Sequence, residues 1–324
     1  MNNSQIDHCN KILSERKIVF GAVAKKCFLS IDDISTDTFD AILNLGIKMK
    51  DKPRNYNNVM TSKSVGMLFQ KTSTRTRCSF EIGIAELGGV AMYIDWKTSN
   101  FTLASLEDEI RVLSRYVNLI LARVNDHKDL EIMKLGSEVP VINGLSDLYH
   151  PCQSLADLMT IKEYFGNVKG INITYVGDGN NVCHSLISGI VKCQGKITVC
   201  CPEGYEPNSS IVEAAKKSGA RVIISNYLEP AISDADVIYT DSWISMGDEN
   251  ETEKRLKDFS NFQINNYITS KAPSHSIYMH CLPAHRDQEI TKDVLYSKRA
   301  VIFDQAENRK HVQKALITHI LDLI

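Results

Sequence analysis

Residues 64–87 read SVGMLFQKTSTRTRCSFEIGIAEL. The first seven form a short, continuously apolar run without alternation, the pattern of a strand buried on both faces of a parallel sheet. Apolar residues then recur at helical spacing over 76–87. Between strand and helix lies Lys71-Thr72-Ser73-Thr74-Arg75-Thr76-Arg77. Hydroxyls and two guanidinium groups converge there on a helix N-terminus, whose unpaired N–H groups and partial positive charge suit a phosphate. Arginine adds bidentate bonds that lysine lacks. An ordinary solvated cap needs one hydroxyl residue, not this many in a row.

The same grammar extends in both directions. Helical spacing follows Asp/Ser/Thr cap candidates over 31–50, and strands are expected at 91–96, 119–124 and 139–143, with a helix at 105–117. The second half offers a long helix at 150–166, strands at 171–179, 196–202, 221–226, 234–243 and 276–284, and helices at 180–194, 209–219 and 306–324. Strands alternating with amphipathic helices predict an α/β protein of two domains, each a parallel β-sheet flanked by helices, with the active site in the inter-domain cleft. The helix at 150–166 is the expected connection. This gives an N-terminal extension at 1–26, a first domain at 27–152 and a second at 153–324, the last helix packing back on the first domain.

A chain of 324 residues suits two cores of ordinary size. A formal net charge of −2 provides no field for nucleic acid or anionic lipid. No apolar run reaches the ~18–20 residues needed to span a bilayer. Nine cysteines are scattered, without C-x-x-C or ligand spacing, so neither a disulfide framework nor a metal site is expected. Free thiols in that number suit a reducing compartment. The polar first 25 residues lack an apolar core for export and the Arg-rich, acid-poor character of an organellar leader, so the expected location is cytoplasmic.

Further candidates sit at strand ends. Arg123 closes LILARV, and His150-Pro151-Cys152-Gln153 opens the connecting helix with proline at its first position. Gly177-Asp178-Gly179-Asn180-Asn181 follows a strand but lacks the third glycine of a dinucleotide fingerprint. Asp241-Ser242-Trp243-Ile244-Ser245-Met246-Gly247 places a carboxylate and a hydroxyl where an ammonium group could bind. His280-Cys281-Leu282-Pro283 ends another strand, and Glu307-Asn308-Arg309 lies in the last helix.

In order, STRTR, LARV, HPxQ, GDGNN, DxWxSMG, HCLP and AENR resemble the aspartate/ornithine carbamoyltransferase family over about residues 27–321, the ornithine branch in particular. The resemblance implies carbamoyl phosphate on the first domain, L-ornithine on the second, no cofactor, and a homotrimer with shared sites. It implies Ser73, Thr74, Arg75 and Thr76 as a phosphate cradle. Arg123, His150 and Gln153 would meet the carbamoyl group, Cys281 and Leu282 would lie beside the reacting centre, and Arg309 would reach carbamoyl phosphate. Asn181 and the Met246 backbone would take the α-carboxylate, and Asp241 and Ser245 the α-ammonium. Arg123, His150, Cys281 and Asp241 are the expected catalytic set, with an ionised Cys281 accepting the amine proton. No Lys or Arg between Asp241 and Lys254 offers a second carboxylate a partner, which favours a diamino acid over aspartate. The loop Lys97–Ser105 departs from the family, with Ser99 or Asn100 where a Gln or His should reach the neighbouring subunit. A carbamoyltransferase for another diamino acid, a non-catalytic homologue and a nicotinamide-dependent oxidoreductase remain as alternatives.

Overall fold

A computed structural model describes residues 26–244 and 249–324. The first unit runs α1 (Thr36–Asp51), β1 (Ser64–Phe69), α2 (Thr74–Glu86), β2 (Val90–Asp95), α3 (Leu106–Leu113), β3 (Leu119–Arg123), α4 (His127–Gly136) and β4 (Val141–Leu145). α5 (Pro151–Phe165) leads to β5 (Asn172–Val176), α6 (Asn181–Cys193), β6 (Lys196–Cys200), α7 (Ser209–Lys217), β7 (Arg221–Ser225), α8 (Leu228–Ile232) and β8 (Val237–Thr240). Three short helices follow β8: α9 (Thr252–Asp258), α10 (Asn266–Thr269) and, after β9 (Ile277–His280), α11 (Lys292–Leu295). The long α12 (Ile302–Ile320) comes last.

The strands form two parallel sheets, ordered β2-β1-β3-β4 and β7-β6-β5-β8-β9. The order reverses between β1 and β3 in one sheet and between β5 and β8 in the other. Crevices at such switch points open beyond the strands' carboxyl ends. The register pairs Phe69 with Arg123 and Thr240 with His280, so the candidate site segments leave their sheets level with one another.

Helix α12 returns to the first unit, packing on α1, α2 and α5. Lys310 and Lys314 hold Glu86 of α2 at 2.6 and 2.8 Å, and Asn308 donates to Thr160 and Glu163 of α5 at 2.8 and 2.6 Å. The helix begins four residues before the expected position, and α4 was not anticipated. Its apolar set is only Leu130, Ile132, Met133 and Leu135 in a short, charged stretch.

Gly179 is a point of forced contact. Its N–H donates to Tyr205 O at 2.9 Å, and an added Cβ would lie 2.2 Å from Pro207 N and 2.4 Å from Glu206 C. These are backbone atoms and cannot swing aside. Gly179→Ala is therefore expected to lower stability by about 1–3 kcal/mol, read as a lower urea midpoint at unchanged slope. Gly204→Ala, with open space but a φ of +89°, would serve as the comparison for backbone strain without a clash.

Candidate active site

Ser73 caps α2 in the ordinary way, its hydroxyl accepting from the Thr76 N–H at 3.2 Å. That leaves the buried Thr76 hydroxyl to face inward, where it accepts from Arg309 Nη2 at 3.0 Å and from Arg123 Nη1 at 3.4 Å. Arg309 also donates to Gln153 Oε1 at 3.1 Å. Arg123 and Arg309 are only 4% and 3% exposed, and the Nε of each has no partner. Among the described residues neither has a carboxylate within ion-pair distance. Burial, then the charges of Arg309 and Arg75, lowers the Arg123 pKa to about 9. Buried cations without a counter-ion are costly, and such a cluster is built for an anion.

Arg75 is exposed, and its charge acts on Arg123, His150 and Arg309. Thr74 is likewise exposed. Arg77 does not join them. Its guanidinium stacks 3.9 Å from the Tyr93 ring centroid and pairs with Glu81 at 3.1 Å, because it lies on the outer face of α2. Lys71, which the sequence reading left without a role, is half-buried near Arg123, and burial followed by that charge lowers its pKa.

His150 precedes Pro151, and its backbone N–H donates to Ser185 Oγ at 2.7 Å. Its ring is fully buried with Nδ1 unpartnered. Burial and the surrounding Arg309, Arg123, Arg75 and Lys71 hold its pKa well below the usual histidine value. It is a neutral imidazole among cations.

The acceptor side gathers at the ends of β5, β8 and β9. Asp241 receives Cys281 Sγ–H at 2.9 Å, Asn180 Nδ2 at 2.9 Å and the Ser242 N–H at 2.8 Å. Asn180, unassigned from sequence, caps α6 and orients Asp241; its place in Asn180-Asn181 was the available signal. Asn181 donates to Ser146 O at 2.5 Å, bridging to the first unit. Leu282 takes a φ of +60° ahead of a cis Pro283, its N–H donating to His280 Nδ1 at 2.9 Å. Ser245 and Met246 lie outside the described residues.

The surroundings of Cys281 work against the expected thiolate: burial first, then the Asp241 charge, pushes its pKa well above the usual thiol range. The cations lie on the Thr76 side, and the nearest charge is the carboxylate that the thiol is bonded to. Asp241, His280 and Cys281 bring three possible ligand atoms within 4.8 Å of one another. However, His280 is already held through Nδ1 by Leu282 and through Nε2 by Glu289 at 2.9 Å. Within the trio only Cys281 and Asp241 are bonded to each other; the His280 ring is engaged by Leu282 and Glu289.

Asp157 joins the two sides. It is fully buried on α5 and accepts from Gln153 Nε2 at 2.8 Å and Gln305 Nε2 at 2.7 Å. Burial raises its pKa to about 7, opposed by hydrogen bonds from Gln153, Gln305 and Tyr239.

His150 gives a test of sign. Its folded pKa lies below the unfolded value near 6.5, so the unfolded chain takes the proton first as pH falls. Above pH 6.5 His150 adds no slope; below it, stability falls by up to ~1.4 kcal/mol per pH unit. His150→Gln is expected to flatten that limb relative to the parent in urea melts from pH 7.5 to 5.5. An unchanged limb would mean that the ring takes up its proton over the same pH range in the folded and the unfolded chain.

Residues 26–163 match the carbamoyl-phosphate-binding domain, and residues 169–320 the Asp/Orn-binding domain, of aspartate/ornithine carbamoyltransferases. The chain is 45% identical over 305 residues to the ornithine carbamoyltransferase of Methanosphaera stadtmanae, covering 91% of this chain and 99% of that one. It is 44% identical to the anabolic enzyme of Pyrococcus furiosus, covering 93% and 98%. A solved ornithine carbamoyltransferase from Pyrococcus furiosus superposes with a TM-score of 0.86 over 91% of this chain and 96% of that one, at 44% identity. The anabolic enzyme from Campylobacter jejuni does so with a TM-score of 0.85 at 36% identity, covering 91% and 98%. With its buried cationic cluster at the end of one sheet and a carboxylate–thiol pair at the end of the other, this chain belongs to the aspartate/ornithine carbamoyltransferase family.

Proposed function

We propose that the chain transfers the carbamoyl group of carbamoyl phosphate to L-ornithine, giving L-citrulline and phosphate in arginine metabolism. The observation that carries this reading is the buried Arg123–Thr76–Arg309 arrangement, cationic and without a carboxylate, linked by a hydrogen-bonded core to Asp241. Carbamoyl phosphate would rest its phosphate on the α2 N-terminus with Ser73, Thr74, Arg75 and Thr76. Its carbamoyl end would lie against Arg123, His150, Gln153, Arg309 and the Cys281–Leu282 turn. Asn181 and the Met246 backbone would take the ornithine α-carboxylate, and Asp241 and Ser245 its α-ammonium. The domains would divide at 152/153.

The donor is already activated, so no covalent nucleophile on the chain is required. Holding two reactants in register can supply ~7–11 kcal/mol. Arg75 and Arg123 would stabilise charge developing on the carbonyl and departing phosphate. A neutral His150 can donate one hydrogen bond to the carbonyl oxygen without adding another buried charge. With Cys281 kept as a thiol, it braces Asp241, and the amine must enter unprotonated or pass its proton to a carboxylate or to phosphate.

A homotrimer with shared sites fits the exposed edge of the first sheet, where Val90 is 64% and Met92 43% exposed, beside Ile82 of α2 at 52%. In the 97–105 loop, Ser99 Oγ donates to Trp96 O at 2.9 Å and Phe101 packs on Trp96 with centroids 5.2 Å apart. Ser99 is thereby used within its own loop. The exposed Asn100 is the better candidate for a contact with a neighbouring subunit.

Citrulline formation from carbamoyl phosphate and a panel of amines tests the reading directly. L-Ornithine is expected to exceed putrescine and L-aspartate in kcat/KM by on the order of 100-fold or more, since a site built to bond an amino-acid head rejects what lacks it. Equal rates for putrescine and ornithine would remove Asp241, Asn181 and the Ser245–Met246 segment from substrate recognition. Arg75→Ala is expected to weaken transition-state binding by on the order of 1.5–3 kcal/mol, through loss of a charge-assisted phosphate bond. Near-normal kinetics would reduce the Ser73–Thr76 segment to a helix cap.

A further inference from the structure

We infer that Asp157 is a positioning residue for the carbamoyl end of the donor, its carboxylate fixing which end of the Gln153 amide faces the site. The inference rests on the reading of Gln153 as the partner of the carbamoyl amide. Gln153 and Asp157 are four residues apart on α5 and share one buried face. Asp157 Oδ1 takes both amide donors, Gln153 Nε2 and Gln305 Nε2. With its NH2 so engaged, Gln153 can only turn Oε1 toward Arg309, where it accepts from Nη1 at 3.1 Å. A carbonyl oxygen has a second lone pair, and that one is left for a carbamoyl N–H. The flipped amide would set NH2 against a guanidinium and carbonyl oxygen against a carboxylate, two mismatches at once. Asp157 itself is 0% exposed and touches no substrate.

The same carboxylate reaches the other edge of the site. Gln305, whose amide NH2 it holds, accepts the His280 N–H at 2.9 Å through Oε1. The turn that presents Cys281 is thus braced by the group that orients Gln153. A donor is therefore selected at one remove: carbamoyl phosphate offers an N–H to Gln153 Oε1, whereas acetyl phosphate offers a methyl group.

The test measures inhibition or dissociation constants for carbamoyl phosphate, acetyl phosphate and inorganic phosphate on the whole chain above pH 8, where Asp157, with a pKa of about 7, is ionised. In Asp157→Asn the residue can both donate and accept, so Gln153 can sit either way round. Carbamoyl phosphate should then bind roughly 10-fold more weakly, the loss of about one hydrogen bond. Acetyl phosphate and inorganic phosphate should stay within about 2-fold of the parent, because the cradle does not read the amide. A double variant, Gln153→Glu with Asp157→Asn, restores an obligate acceptor facing Arg309 and should recover most of the preference for carbamoyl over acetyl phosphate. A merely structural acid would weaken all three ligands together, and the double variant would not rescue it; either result overturns the inference. Should Asp157→Asn fail to fold, the double variant decides: discrimination no better than that of Gln153→Ala refutes it. A parent enzyme that does not prefer carbamoyl to acetyl phosphate would sink the functional reading and this inference with it. A parent that discriminates, beside an Asp157→Asn that discriminates equally, would sink the inference alone.

Discussion

Two guanidinium groups meeting on one threonine hydroxyl is the constraint around which this molecule is organised. Arg123 arrives on β3, Arg309 on α12 and Thr76 on the first turn of α2. Among the described residues no carboxylate lies within ion-pair reach of either arginine, and an uncompensated buried charge costs several kcal/mol. Something must hold the three elements together against that repulsion. The Lys310 and Lys314 pairs with Glu86 tie α12 to α2, and Lys50, Asn308, Glu163 and Thr160 tie it to α1 and α5. Ion pairs away from the site thus stabilise the placement of cations within it. Strain of this kind is a familiar cost of function.

The acceptor edge solves the opposite problem. Asp241 is a carboxylate in a nearly closed environment, and it is held by a thiol, a side-chain amide and a backbone N–H. Its donors come from three separate strand ends, so its orientation reports the register of the whole second sheet. One route between the cationic and acidic edges runs through the Gln153 and Gln305 amides and the buried Asp157.

Much of this was legible in the sequence because parallel strands bury both faces and so read as unbroken apolar runs. Strand ends also mark where chemistry sits in such folds. Arg123, Asp241 and Cys281 stood out by their places at strand ends, while the roles given to them and to Thr76, His150, Gln153 and Arg309 came from the family resemblance. Other features depend on partners far apart in the chain. The Asp157–Gln305 bond spans 148 residues, and a buried acid on a helix gives no local sign of what it faces. The ionisation of Cys281 is set by neighbours in space, burial and Asp241 first among them, and these are not written in the residues beside it. Arg77 was grouped with Arg75, but residues two apart in a helix lie on nearly opposite sides and do not share a face.

Helix α12 supplies Arg309, yet it is made last, after both sheets. Domains tend to form in the order in which they leave the ribosome. A nascent chain that has completed the first sheet and α5 therefore holds Thr76, Arg123, His150 and Gln153 but lacks the guanidinium that bonds Thr76 and Gln153. Glu86 likewise waits without Lys310 and Lys314. The contacts that close the buried cluster and those that tie the two units together are therefore made by the same late helix.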